Sequence, residues 1–581
     1  MLFIKKTLLL FLFLFVPVVS SDSAIPAVKP EQQAIYSQMD IHHPVWAANG
    51  MVATQEALAT QIGVDILKQG GNAVDAAIAV GYALAVTLPR AGNLGGGGFM
   101  LLYLAEKKQT VALDYREKAP AKATADMYLD KSGNVINSLS RYHGLAVGTP
   151  GTVMGLELAR EKYASMSRAA LLAPAIKLAA EGITVTPDLA NSLKALQKRL
   201  SKWESTKKIF YKHDGSPYQA GEILQQKDLA NSLKRISQQG VAGFYQGYTA
   251  QQIADSVAQA GGIMSVADLN NYQAVERQPV TGTYRGYDVI SMPPPSSGGV
   301  HIIQMLNMLE TYPLDRMGHN SAATIHVMVE AMRRAYADRS LYLGDSDFVD
   351  VPVQALTGKN YAQHLVKQID LNKASLSSEV MPGKLTPYES NETTHFSIMD
   401  KWGNAVANTY TLNFSYGSGL VAEGTGILLN NEMDDFSAKP GEANSYGLIG
   451  GEANAIAANK RPLSSMSPTI VLKDDQPFLV TGTPGGSRII STTLQVILNV
   501  LDYKMNIADA SAAPRIHHQW LPDYIRVEKG LNTDTINLLQ DKGHKVKVQS
   551  AMGSTQSILK NEQGLYGASD PRKANALSKG Y

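Results

Sequence analysis

Three times along this chain, two short β-prone runs face each other across a tight polar turn. Residues 99–104 and 111–115 flank Glu106-Lys107-Lys108, and residues 395–400 and 405–412 flank Trp402-Gly403-Asn404. Residues 469–472 and 478–481 flank Lys473-Asp474-Asp475-Gln476-Pro477. Runs rich in β-branched and aromatic residues, joined over so few turn residues, read as antiparallel hairpins. Helical tracts lie in separate runs: 54–69, 74–88 behind the Gly70-Gly71-Asn72 turn and cap, most of 167–272, 299–309 and 489–501. A short strand at 287–292 is stopped by Pro293-Pro294-Pro295. Strands and helices grouped in this way predict a layered α/β fold with a largely antiparallel sheet and no independent domain boundary.

Composition narrows the chemistry. Hydrophobic residues make up 44% and charged residues 18% of 581, an ordinary globular balance. The net charge is +2 with no basic stripe, which argues against nucleic acid as a partner. Cysteine is absent, so disulfides, thiolate metal sites and a cysteine nucleophile are excluded together. Covalent catalysis must use serine, threonine or another side chain. The twelve histidines contain no HExxH pattern, and no metal or cofactor is expected. The pairs His42-His43 and His517-His518 are expected in surface or loop positions.

Lys5 and Lys6 precede an apolar run at 8–19 and small residues at 20–24, the pattern of a secretory signal peptide ending near residue 24. No later run is long enough to span a membrane; the most apolar, 74–88, contains Asp75 and reads as a buried helix. A protein exported across the inner membrane is expected, periplasmic or extracellular, with no membrane attachment once the signal is removed.

Several segments have the makings of a site. Thr393, in Asn391-Glu392-Thr393-Thr394-His395-Phe396, becomes a self-sufficient nucleophile if the chain is cut before it. A free α-amine with a pKa of about 7.7–8.0 then sits on the same residue as the hydroxyl. Thr481-Gly482-Thr483-Pro484-Gly485-Gly486-Ser487-Arg488 joins a strand to a helix. Glycine amides there suit an oxyanion; the phosphate-loop reading fails for want of a GK[ST] lysine. Arg116 offers a fork for a carboxylate or pairs locally with Asp114 or Glu117. Ser464 and Ser465 present neighbouring hydroxyls, and Asn430-Asn431-Glu432-Met433-Asp434-Asp435 concentrates acceptors that read either as an ammonium site or as a solvated acidic loop.

The order AGNLGGGGFM, TTHFS, NNEMDDFSAKPG, RPLSSMSPTI, TGTPGGSRI and MGSTQSI resembles the γ-glutamyltransferase family of N-terminal nucleophile hydrolases, in its bacterial periplasmic style, from about residue 48 to 581. The resemblance implies an αββα sandwich of stacked, largely antiparallel sheets flanked by helices. It implies self-cleavage between Glu392 and Thr393, giving a large subunit 25–392 and a small one 393–581 that share one fold. It further implies that Thr393 takes a γ-glutamyl group from glutathione or a related compound and passes it to water, an amino acid or a peptide. Thr411 would orient the nucleophile, and Gly485 and Gly486 would form the oxyanion hole. Arg116, Ser464 and Ser465 would bind the glutamyl α-carboxylate, while Asn413, Glu432 and Asp435 would bind its α-ammonium. A lid at 439–451 would latch through Tyr446 towards Asn413. Glu432 stands where some members carry glutamine. Two alternatives remain open from sequence: a glutaryl or cephalosporin acylase of the same fold, and an inactive secreted binding protein.

Overall fold

A computed structural model describes residues 40–380, 393–442 and 450–581. Fourteen strands build its two main sheets: β1 (Val45–Ala47), β2 (Met51–Thr54), β3 (Gly97–Leu104), β4 (Gln109–Tyr115), β5 (Val275–Arg277), β6 (Val280–Tyr284), β7 (Tyr287–Ser291), β8 (Thr394–Met399), β9 (Ala405–Thr411), β10 (Thr469–Lys473), β11 (Gln476–Thr481), β12 (Gln556–Asn561), β13 (Gly564–Ser569) and β14 (Leu577–Gly580). The first sheet runs β1-β13-β12-β11-β10-β7-β6, the second β14-β2-β8-β9-β3-β4-β5. Every neighbouring pair in both is antiparallel. The three hairpins read from sequence are present, as β3–β4, β8–β9 and β10–β11.

Alternation along the strands explains the layering. Phe99, Leu101 and Tyr103 of β3 meet Ile470, Val480 and Ile558 in an apolar layer between the sheets. Their neighbours Met100 and Leu102 pack outward with Val74, Ile78 and Leu84 of the helical layer. Helices α1 (Ala57–Lys68) and α2 (Ala73–Thr87) cover the second sheet; α3 (Gly298–Leu309), α4 (Ala322–Tyr342) and α5 (Arg488–Leu501) cover the first. The four layers form the αββα sandwich that the resemblance implies.

Helix α2 shows how local sequence sets such an element. Asn72 caps it and Asp75 completes a capping box, satisfying donors that the helix start leaves unpaired. Asp75 is fully buried, yet it also accepts from Ser165 and Met166, so its charge is compensated.

Two expectations need correction. The chain before residue 88 is not wholly helical: Thr54 ends a strand inserted between β8 and β14, and α1 starts at Ala57. Cross-strand pairing outweighs the local helical pattern at that point. His517 and His518 are buried rather than superficial. Ser491 and Gln519 bond His517, while His518 faces Asp523, so tertiary partners offset burial that sequence alone cannot foresee. The 1–24 segment lies outside the described residues, and among the described ones no helix is long and apolar enough to cross a membrane.

Candidate active site

Strand β8 begins one residue after Thr393. Its register with β9 pairs Thr394 with Tyr410, so the next step along the ladder sets Thr393 opposite Thr411. Their hydroxyls lie 3.4 Å apart, and the Thr411 hydroxyl also accepts from the Asn413 amide at 2.8 Å. Thr393 is only 4% exposed, which shields its hydroxyl from bulk water.

The AGNLGGGG run seats this strand end. Asn93 donates to the Thr411 carbonyl at 2.9 Å and accepts from the Gly96 amide. A side chain at Gly96 would start 2.0 Å from that carbonyl, so only glycine permits the approach. Asn93 is a supporting residue that sequence reasoning missed; its place inside the glycine motif was the available signal. His395, in β8, bonds Thr409 at 2.8 Å and Ser397 at 3.1 Å and lies against Gly482. Burial pushes its imidazole down to about 3, so it is neutral and structural.

Nine of the residues singled out from sequence line one cavity: Arg116, Thr393, Thr411, Asn413, Glu432, Asp435, Ser464, Ser465 and Gly486. Gly485 adjoins it in the turn between β11 and α5. With φ of 140° at Gly485 and 56° at Gly486, that turn needs residues free of a Cβ penalty, which leaves its backbone open beside a helix start. Glu392 and Tyr446 lie outside the described residues, as does the central part of the 439–451 segment.

The acidic segment folds as a short 3-10 turn, Glu432–Asp435, and is not a solvated loop. Glu432 is 1% exposed. Arg116 donates to Glu432 and, at 2.5 Å, to Asp435; it also reaches Glu117 at 3.5 Å and the carbonyls of Pro462 and Leu463. The local reading of Arg116 is thus partly met, through Glu117, but its principal partners lie more than 300 residues away. Burial tends to discharge the Arg116 guanidinium, yet Glu432, Asp435 and Glu117 outweigh that and hold it charged. Burial also pushes the Glu432 carboxyl upward, opposed by Arg116 and reinforced by Glu117.

Across the cavity, Ser464 and Ser465 sit on a loop pinned to the Pro293-Pro294-Pro295 segment. The Ser464 amide donates to Pro295 and its carbonyl accepts from Ser297, each at 2.8 Å. Arg339 of α4, also missed from sequence, lines the same cavity and donates to Ser465 Oγ at 3.3 Å. One turn earlier on that helix, Tyr336 donates to the Ser487 carbonyl in the glycine turn.

A possible metal-ligand cluster lies elsewhere: His326, Glu330 and His544, with donor atoms within 4.8 Å of one another. Sequence spacing missed it because His544 is remote in the chain. Its donors are already engaged, His326 with His544 at 2.8 Å and Glu330 with Arg334 at 2.6 Å.

A family model described as Gamma-glutamyltranspeptidase matches residues 59–580. The chain is 57% identical to the glutathione hydrolase proenzyme of Escherichia coli K12, covering 97% of this chain and 96% of that one. It is 36% identical to the Acylase ACY 1 proenzyme of a Pseudomonas strain, V22, covering 90% and 91%. Among solved structures it is similar to a cephalosporin acylase from Bacillus halodurans (TM-score 0.83, 30% identity, covering 95% of this chain and 99% of that one). It is also similar to the gamma-glutamyltranspeptidase of Helicobacter pylori (TM-score 0.57, 46% identity, covering 59% and 97%).

Proposed function

The chain belongs to the gamma-glutamyltranspeptidase family, and on that footing we propose how its residues carry out glutathione hydrolysis and γ-glutamyl transfer. The observation that carries the proposal is the sharing of one cavity by the Thr393 hydroxyl, a glycine turn, a group of acids and a pair of serines.

In the precursor, the Thr393 hydroxyl attacks the Glu392 carbonyl. The acyl group moves from nitrogen to oxygen, and water then cleaves the ester. The products are a carboxylate at Glu392 and a free amine on Thr393. Both sheets contain strands from each side of this cut, hydrogen-bonded to one another, which supports the two chains remaining together. In the mature enzyme the amine takes the hydroxyl proton as Thr393 attacks the γ-carbonyl of the donor. Thr411 orients the hydroxyl, and the amides at Gly485 and Gly486 receive the oxyanion. The amine returns its proton to the departing amino group. Water or an acceptor amine then attacks the γ-glutamyl-threonine ester.

The zwitterionic head selects the donor. Its ammonium competes with Arg116 for Glu432 and Asp435, with Asn413 alongside; its carboxylate meets Ser464, Ser465 and the Arg116 thereby released. Tyr446 is assigned to the lid over this head. A glutaryl group lacks the ammonium and would leave the acids without a new cation, which favours a γ-glutamyl donor over the acylase reading. The Lys5, Lys6 and apolar 8–19 pattern supports export, with the periplasm as the compartment.

Denaturing electrophoresis should resolve two fragments, the smaller beginning Thr-Thr-His-Phe-Ser. The processed enzyme should turn over glutathione in preference to a glutaryl amide. A single intact band in active protein would sink the cleavage, and preference for the glutaryl amide would hand the site to the acylase reading.

A further inference from the structure

The cavity contains two buried arginines in opposite situations. Arg116 directs its donors to Glu432, Asp435, Glu117 and two backbone carbonyls. Arg339 is 4% exposed and, among the described residues, its side chain has only hydroxyl partners, Ser297 Oγ at 2.9 Å from Nε and Ser465 Oγ at 3.3 Å from a terminal nitrogen. No carboxylate among the described residues forms an ion pair with it; Asp435, already held by Arg116, acts on it only at longer range. Burial brings its guanidinium down to about 10, which leaves it charged at neutral pH. A buried cation without a counter-charge is costly unless something it binds supplies one.

Its hydroxyl partners give that charge a direction. The Ser297 hydroxyl donates to the Ser464 carbonyl at 2.8 Å, so Arg339 Nε occupies a lone pair on Ser297 while its proton points at the serine loop. At Ser465 the guanidinium again occupies the acceptor side, leaving the hydroxyl hydrogen to donate elsewhere. One side chain thereby sets the placement of Ser464 and the polarity of Ser465.

We propose that Arg339 is the positioning residue for the substrate carboxylate: it turns the Ser465 hydroxyl into a donor facing the cavity and supplies the positive charge that draws the carboxylate to the serine side. This rests on the γ-glutamyl reading above. It adds that the carboxylate is attracted by a cation distinct from the one the acids already neutralise.

The test uses processed enzyme and two p-nitroanilides, γ-glutamyl and γ-aminobutyryl, the second lacking the carboxylate. Wild type should strongly favour the first. Arg339→Gln should lower kcat/KM for the γ-glutamyl anilide by roughly 10- to 100-fold, the range expected for a lost bond to a charged group. The loss should fall mainly in KM, with the γ-aminobutyryl anilide changed by less than about threefold. Arg339→Lys should recover part of the preference, because it restores charge without the fork. A parallel fall on both substrates would reduce Arg339 to a structural residue, and an unchanged ratio would remove it from recognition. If Arg339→Gln remains uncleaved, the ratio in Arg339→Lys decides: lower than wild type supports the assignment, equal to wild type overturns it. Failure of wild type to prefer the γ-glutamyl anilide would instead overturn the underlying reading of the site.

Discussion

The acid side of the cavity and its serine side are built on opposite electrostatic plans. On the acid side, Arg116 is fastened to Glu432 and Asp435, so its charges cancel within the protein. On the serine side, Ser464 and Ser465 are neutral, and among the described residues the nearby Arg339 is held by hydroxyls alone. On the proposed reading, the first side would exchange partners to receive an ammonium, and the carboxylate would meet the serines and the Arg116 so released. Removing a group from the acid side therefore exposes a buried charge. Removing the Ser465 hydroxyl takes a neutral hydrogen-bond partner from Arg339 but no counter-charge.

The largest expected effect lies at the point the two sides serve. Thr393→Ala should leave the chain uncut and reduce activity by at least about 10³-fold, as loss of a covalent nucleophile does elsewhere; normal two-fragment processing on a gel would contradict the assignment. Next is Asp435→Ala, which takes a carboxylate from the fully buried Arg116 and leaves no acceptor in its place, and should lower stability by about 3–5 kcal/mol as well as raise KM. Thermal denaturation alongside kinetics would show this, and an unchanged melting temperature would erase the contrast between the sides. Ser465→Ala should cost about 1.5–3 kcal/mol in kcat/KM and, because it strips the buried Arg339 of a hydroxyl partner, lower stability by about 1–3 kcal/mol, less than Asp435→Ala. Glu432→Gln should be milder, with KM within about fivefold of wild type, because the amide oxygen still accepts from Arg116 or an ammonium; a loss as large as that of Asp435→Ala would show that the charge itself is required.

At neutral pH the smallest effect concerns the scaffold common to both sides. His395 is held down to about 3 by burial, below its unfolded value near 6.5. Between those values the unfolded chain binds a proton that the folded one does not, so stability is present above about 6.5 and is lost as pH falls towards 3. Each such histidine contributes a slope of about 1.4 kcal/mol per pH unit within that window. Urea titrations at pH 6 and pH 4 should therefore show a smaller loss in His395→Asn than in wild type, and equal losses would place His395 outside this accounting.

Where sequence reading stopped is visible in particular residues. The β3–β4 hairpin and the α2 cap were legible because their partners lie within a few positions and their patterns are periodic. Arg116 was legible as a cation but not in its pairing, since Glu432 lies 316 positions away. Arg339 was hidden inside α4, where its sequence neighbours resemble any charged helix face. The burial of His517 was equally invisible, because it depends on α5 and Gln519 closing around it.

By itself, then, the sequence determined most element types and the family, and nominated the nucleophile, since these rest on local pattern and ordered motifs. Tertiary structure decided which charges cancel and which stay unpaired, because that depends on the β8–β9 register, the pinning of the serine loop and the approach of α4. Those contacts arise between segments hundreds of residues apart, and burial gives them their strength.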